Sequence, residues 1–227
     1  MVQGYVPPQP DNFDHQIDQF YLWTVTRSPQ WVERGVYSAL ALKGGKLLDL
    51  CCGDGFNARN FYSVKSTHVV ACDIDPKIIR LAKRKNPARN VSYEVADIRW
   101  HMPDGRYENI IWDSAIEYFT EAEICTILES IKDHLTADGI VSGHTYVENM
   151  DEPDRISNHK YHFKCREDLV RMLMSVLENV LVFETEYPGR HNLYFWASDA
   201  VIPFGSGWAQ ARRIEKSSIR DMEHEMA

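Results

Sequence analysis

The sequence has no apolar run near the roughly 20 residues that a membrane helix needs. Its opening, MVQGYVPPQPDNFD, has neither a basic start nor an apolar centre, so it does not read as a secretory signal. Cysteine is sparse. Cys51, Cys52, Cys72, Cys125 and Cys165 make an odd count, two are adjacent, and none stands at a zinc-type spacing. A disulfide framework is excluded, and the thiols read as the reduced cysteines of a cytoplasmic protein. Basic residues are outnumbered, 25 Lys and Arg against 33 Asp and Glu among 227 residues, for a net charge of −8. That balance argues against a broad nucleic-acid surface. There is no internal repeat.

What is present is an alternation of apolar runs and helical patterns. A first helix is expected from Ser28-Pro29, with Ser as cap and Pro in the first turn, to about Leu42, where Gly44-Gly45 stops it. Lys46 to Leu50 reads as a buried strand, Gly55 to about Tyr62 as a helix after a tight turn, and His68 to Cys72 as a second strand. Asp75-Pro76 caps a helix to about Lys85. Val91 to Ala96 and Asn109 to Trp112 follow as strands. Thr120 to Glu123 is a capping box opening a helix to about Leu135, and Ile140 to Ser142 is a fifth strand. Strands alternating with helices imply a parallel sheet covered on both faces. Arg166 to Leu177 has helical periodicity. Val180 to Thr185 and Asn192 to Ala197, joined by Tyr187-Pro188-Gly189-Arg190, read as an antiparallel hairpin. The fold class is therefore α/β, a Rossmann-like doubly wound seven-stranded sheet, mostly parallel with a C-terminal antiparallel hairpin. Residues 1–45 are read as a helical cap or lid, 46–203 as the main domain and 204–227 as a tail.

The chemistry begins at Leu47-Leu48-Asp49-Leu50-Cys51-Cys52-Gly53-Asp54-Gly55-Phe56-Asn57-Ala58, a strand entering a glycine turn and then a helix. Small residues let a ligand approach the backbone, and a helix start offers free N–H groups. Gly53-x-Gly55-x-x-Ala58 also fits the dinucleotide fingerprint, which keeps an NAD-dependent oxidoreductase open. Charge opposes it: a diphosphate here would meet Asp49 and Asp54, whereas a ligand bearing a sulfonium would not be repelled.

At these residues the chain resembles the class I S-adenosylmethionine-dependent methyltransferases. Asp49 to Gly55 is similar to their first motif. Ala71-Cys72-Asp73-Ile74-Asp75-Pro76 resembles the acidic end of their second strand, and Val95-Ala96-Asp97-Ile98 that of their third. Tyr107 to Tyr118 resembles the fourth-strand motif, and Leu135 to Ile140 the turn into strand five. The resemblance covers about residues 40–198. It implies S-adenosylmethionine as cofactor. Asp73 would accept from both ribose hydroxyls, and Ile74 would lie against adenine. Asp97 would accept from the adenine amino group, with the Ile98 N–H donating to the ring. Asp49 would order the turn and the ammonium group, Gly53 and Gly55 would give close backbone approach, and Asp113 would lie near the amino group by its backbone. Each of these residues also has a plain structural reading as a turn, cap or packing residue. Cys51 departs from the pattern by standing where the family has its first glycine, so its Cβ is expected to narrow the pocket there.

On the acceptor side, a hydroxyl or protonated amine needs a base. His144, just past strand five, is the first candidate, although a structural histidine fits the position as well, and Tyr118 past strand four is the second. His159-x-x-His162 lacks further ligands, so no metal is expected. Tyr21, Trp23, Trp31 and Arg27 are read as a lid. The acidic balance favours a small-molecule acceptor methylated on oxygen or nitrogen, with no nucleic acid and no membrane as partner, in a monomer or homodimer. A non-catalytic cofactor-binding protein is the remaining alternative.

Overall fold

The computed structural model describes residues 30–147, 159–187 and 190–204. Seven strands, β1 (Lys46–Leu50), β2 (His68–Asp73), β3 (Val91–Val95), β4 (Tyr107–Asp113), β5 (Leu135–Val147), β6 (Asn179–Tyr187) and β7 (Arg190–Ser198), form one sheet in the order β3-β2-β1-β4-β5-β7-β6. β1 to β5 pair in parallel, and β7 runs antiparallel to both β5 and β6. The order reverses at β1 and β4, the point at which sheets of this kind leave a crevice beyond the carboxyl ends of their strands.

Both faces are covered, as the continuous apolar runs of β1, β2 and β4 require. Leu48, Leu50, Ile110, Trp112, Val141 and Phe195 pack on one face against Ile124, Leu128 and Ile131 of α3 (Glu121–His134) and Leu169 and Leu173 of α4 (Arg166–Met174). On the other face Leu47, Val69, Ala71 and Ile111 meet Tyr62 and, from α2 (Pro76–Lys85), Ile79 and Ala82. A third cluster joins Tyr37 of α1 (Gln30–Ala39) to Tyr194 and Trp196 of β7.

The local signals operate as chemistry requires. The Asp75 carboxylate accepts from the Lys77 N–H at 2.7 Å, with Pro76 in the first turn and Lys83, Arg84 and Lys85 in the last, where the helix dipole favours cations. Thr120 and Glu123 close a reciprocal capping box at the start of α3. The segment after the glycine turn winds more widely than expected, as a π-helical turn over Ala58–Tyr62, with the Ser63 N–H reaching the Ala58 carbonyl at 2.9 Å.

The fifth strand departs most from expectation. Instead of Ile140 to Ser142 it runs from Leu135 to Val147, because β4 holds one edge and β7 the other as far as the Val147–His191 pair. Gly139 lies within the strand, and the register with β4 shifts between the pairs Tyr107–Leu135 and Asn109–Ile140. Tyr21, Trp23 and Arg27, three of the residues read as a lid, lie outside the described residues, as do the Trp31 side chain and residues 205–227.

Candidate active site

Four carboxylates gather at the carboxyl end of the sheet. Asp49 is in β1, Asp73 ends β2, Asp97 follows β3 and Asp113 ends β4. With Asp54 they line a cleft of about 280 Å³, together with Arg34, Cys51, Cys52, Gly53, Asn57, Ile74, Arg99, Ser114, Tyr118, Phe119 and Lys160. Of the residues singled out in the sequence, Asp49, Cys51, Gly53, Asp73, Ile74, Asp97, Asp113 and Tyr118 line this cleft. Gly55, Ile98 and His144 do not.

The turn between β1 and the π-helical segment is left-handed at three residues: Cys51 has φ +55°, Gly53 +56° and Gly55 +75°. For a residue with a Cβ this conformation costs about 1–2 kcal/mol, which gives a physical reason for glycine at the Cys51 position. At Gly55 the constraint is also spatial. A Cβ would lie 2.4 to 2.7 Å from the Tyr93 ring atoms, and the Tyr93 hydroxyl donates to the Asn86 carbonyl at 2.7 Å. Gly55 thus shapes the turn from behind. The Gly53 N–H donates to Asp73 at 3.2 Å, and the other Asp73 oxygen accepts from the Asp75 N–H at 3.0 Å. Each oxygen keeps a further lone pair for a ligand.

Asp49 is only 3% exposed, and its Oδ2 is buried without a hydrogen-bond partner. Burial, then the charges of Asp113 and Asp73, push its carboxyl well above the usual range. Burial likewise raises Asp54 to about 6 and raises Asp73. The lining sets five carboxylates against three cations, two of them taken up by Asp113 and Asp97, so it suits a cationic ligand better than a diphosphate. Asp97 lines the cleft and is itself paired with a cation. Arg99 grips it with two hydrogen bonds, 2.8 and 2.6 Å long, and holds its pKa down, so any further acceptance uses its remaining lone pairs.

Asp113 is the hub of a network that the sequence reading missed. Arg34 of α1 donates to it from Nη2 at 2.7 Å and from Nε at 3.1 Å, and Asn57 Nδ2 donates at 3.1 Å. Behind it stands His144. His144, the first candidate for the base, lies apart from the cleft. Its side chain is 0% exposed, stacks on Tyr194 with ring centroids 4.9 Å apart, and shares a hydrogen bond of 3.1 Å between Nε2 and Asn192 Oδ1. Burial, then the charges of Arg34 and Arg190, hold its pKa well below the usual value. Asn192 Nδ2 donates to Glu33, which fixes Oδ1 as the acceptor toward His144. A neutral imidazole sealed from the cleft backs Asp113 and cannot reach an acceptor molecule. The β7 partner that buries His144 lies 48 residues away in sequence, beyond local reading.

Tyr118 does reach the cleft, 39% exposed, with its ring edge-on to His159 at 4.8 Å. Beside it Glu117 is 4% exposed and accepts from the Thr145 hydroxyl at 3.2 Å; burial raises its carboxyl from 4.5 to about 7. The folded chain therefore holds this proton more tightly than the unfolded one. The stability it contributes is whole below about pH 4.5 and is lost as pH rises through 7, a loss of about 3 kcal/mol at ~1.4 kcal/mol per pH unit. Glu117→Gln is expected to flatten the fall in unfolding free energy between pH 5 and 8 and to exceed the wild type at pH 8. Urea titrations at each pH check this; equal slopes in the two proteins would show that Glu117 does not titrate in this range.

A doubly wound sheet whose switch-point crevice is lined by carboxylates defines a Rossmann-like fold with a candidate binding cleft. Residues 47–139 match the family model described as the methyltransferase domain. This stretch is thus similar to a methyltransferase domain, over the part of the chain in which the sequence motifs lie. Among solved structures, the DhpI–SAH complex superposes with a TM-score of 0.60 at 18% identity, over 83% of this chain and 94% of that one. A TehB-like SAM-dependent methyltransferase from Corynebacterium glutamicum gives 0.59 at 18% identity, over 83% and 100%. Human N-acetylserotonin methyltransferase in complex with SAM gives 0.60 at 13%, over 82% of this chain and 57% of that one. At these identities the likeness is one of fold. Comparison with curated proteins finds none that matches. Among the described residues no helix is long and apolar enough to cross a membrane.

Proposed function

We propose that the chain transfers the methyl group of S-adenosylmethionine to an oxygen or nitrogen of a small molecule. The observation that carries this reading is the orphaned, buried Asp49 Oδ2 in a cleft walled by four further carboxylates. When bound, the cofactor supplies an electrophilic methyl on a sulfonium together with an ammonium group. Asp49, with Asp113 behind it, would face the positive end. Asp73 would hold the ribose hydroxyls through its free lone pairs, and Ile74, 55% exposed at the cleft, would cover adenine. Asp97, already positioned by Arg99, and the Ile98 N–H would meet the adenine edge. Gly53 and Cys51 would bring the backbone close to the ligand. Tyr118 would stand on the acceptor side, where alignment of an attacking lone pair is the protein's main task.

The small-molecule acceptor is supported by the narrow cleft, by the acidic balance of the chain and by the name of the human neighbour, an N-acetylserotonin methyltransferase. The test is a thermal denaturation series with S-adenosylhomocysteine and with NAD. A ligand at 100 times its Kd stabilises by about 2.7 kcal/mol. S-adenosylhomocysteine is expected to raise Tm and NAD to leave it unchanged; the reverse would replace this reading with a dinucleotide enzyme.

A further inference from the structure

The charges at the carboxyl end of the sheet are sorted. Carboxylates stand at β1, β2, β3 and β4. Moving across β5, the next strand end belongs to β7, and it opens with an arginine. Arg190 Nε donates to Asn192 Oδ1 at 2.8 Å, and its guanidinium carbon lies 5.2 Å from the centre of the Tyr146 ring. Asn192 is itself fixed, its amide donating to Glu33 at 2.9 Å and to Thr185 at 3.1 Å, so Arg190 is held by a built frame.

The two terminal nitrogens of Arg190 meet no carboxylate among the described residues. The other two arginines at this end do: Arg34 pairs with Asp113 and Arg99 with Asp97. Arg190 is half-buried, and none of its nitrogens is among the buried polar atoms left without a partner in the described residues. Burial and then the nearby Arg34 charge press against its own charge, opposed by Tyr194, Tyr146 and Glu117. A half-buried guanidinium with no carboxylate partner among the described residues suits an oxyanion, which its planar fork fits with two parallel hydrogen bonds.

Position fits the same conclusion. β4 and β7 are separated by β5 alone, so at a strand spacing of about 4.8 Å the two strands stand roughly 10 Å apart. The Cα register runs Asp113–His144–Tyr194 across the three strands. Arg190 starts β7 four residues before Tyr194, about 13 Å further along the strand at ~3.3 Å per residue, and its side chain turns back to Asn192, so a small molecule that extends from the cleft past the ends of β4 and β5 meets it.

We propose that Arg190 binds an oxyanion, a carboxylate or a phosphate-type group, carried by the methyl acceptor. This rests on the methyltransferase reading above and gives its acceptor a chemical class.

The test uses the full chain saturated with S-adenosylhomocysteine and titrated calorimetrically, at constant ionic strength, with benzoate, with phenyl phosphate and with neutral benzamide. At least one anion is expected to bind saturably and benzamide not to bind; whichever anion binds tighter identifies the group. Arg190→Gln is expected to weaken anion binding about tenfold or more while leaving the affinity for S-adenosylhomocysteine within about twofold. Because Arg190 also supports Asn192, Tm is measured in parallel. Should the glutamine variant fail to fold, Arg190→Lys decides, since it keeps the charge and loses the fork and is expected to bind the anion several-fold more weakly. Absence of anion binding to the loaded wild type, or unchanged anion affinity in the folded variant, overturns the proposal. Failure of S-adenosylhomocysteine itself to bind is a separate result, which removes the methyltransferase reading and the acceptor assignment with it.

Discussion

Asp73→Ala is expected to weaken the affinity for S-adenosylhomocysteine by about 30- to 1,000-fold. Two charge-assisted hydrogen bonds to a ribose are worth about 2–4 kcal/mol together, and each 1.4 kcal/mol is a factor of ten. A second effect acts in the same direction. The same carboxylate holds the Gly53 N–H at 3.2 Å and the Asp75 N–H at 3.0 Å, so it fixes the glycine turn as well as the ligand. Asp73→Asn separates the two. It keeps the shape and one acceptor oxygen, loses the charge, and is expected to fall between the wild type and alanine. Isothermal calorimetry on the folded variants gives the answer, and an affinity unchanged in Asp73→Ala would remove Asp73 from the site. Burial raises the Asp73 carboxyl, with the two backbone donors opposing the rise.

How much of this was legible follows from what is local. The β1, β2 and β4 runs are apolar enough to be recognised alone, and the caps at Asp75 and Thr120 lie within a few residues of the backbone groups they satisfy. The carboxylates are legible for the same reason: each stands at or just past a strand end, and strand ends follow from the pattern. What escaped the reading depends on distant partners. β5 was read short because its full length is set by β7. His144 occupies the strand-end position expected of it, yet Asn192 and Tyr194 of β7 enclose its ring, and no local pattern shows that enclosure. Cys51 was located as the departure from a glycine motif, and its φ of +55° shows that the backbone there keeps the shape glycine would take. Arg34 and Asp113 are 79 residues apart, and nothing around Arg34 marks it as the cation of the site.

That last pair carries the second large effect. Arg34→Ala is expected to destabilise the chain by about 3–5 kcal/mol, the usual cost of removing one partner from a buried ion pair. The Arg34 and Asp113 side chains are 21% and 6% exposed. Burial opposes the Arg34 charge, but Asp113 outweighs it by attraction and hydrogen bonding, and the net pKa is raised. Without Arg34 the Asp113 carboxylate would keep only Asn57 as a side-chain donor within 3.5 Å among the described residues, and would stand near Asp49, whose own pKa its charge already raises. Relief comes from moving Asp113, which alters the wall of the cleft. The affinity for S-adenosylhomocysteine is therefore expected to fall together with stability. A double-mutant cycle with Asp113→Ala separates the pair from mere packing. If the ion pair is the cause, the double variant is less destabilised than the sum of the singles, since no unpaired charge is left behind. Urea unfolding of the four proteins gives the coupling energy. A loss below about 1 kcal/mol in Arg34→Ala, or additivity across the cycle, would mean that α1 is held to the sheet by its apolar face and the Glu33 network instead. Four donors, Thr185, Tyr187, Asn192 and Tyr194, converge on Glu33 within 2.9 Å, so that network can hold the helix in place by itself. In that case Arg34 would matter for the charge of the cleft and not for the position of the helix, and only the cofactor affinity would respond to its loss.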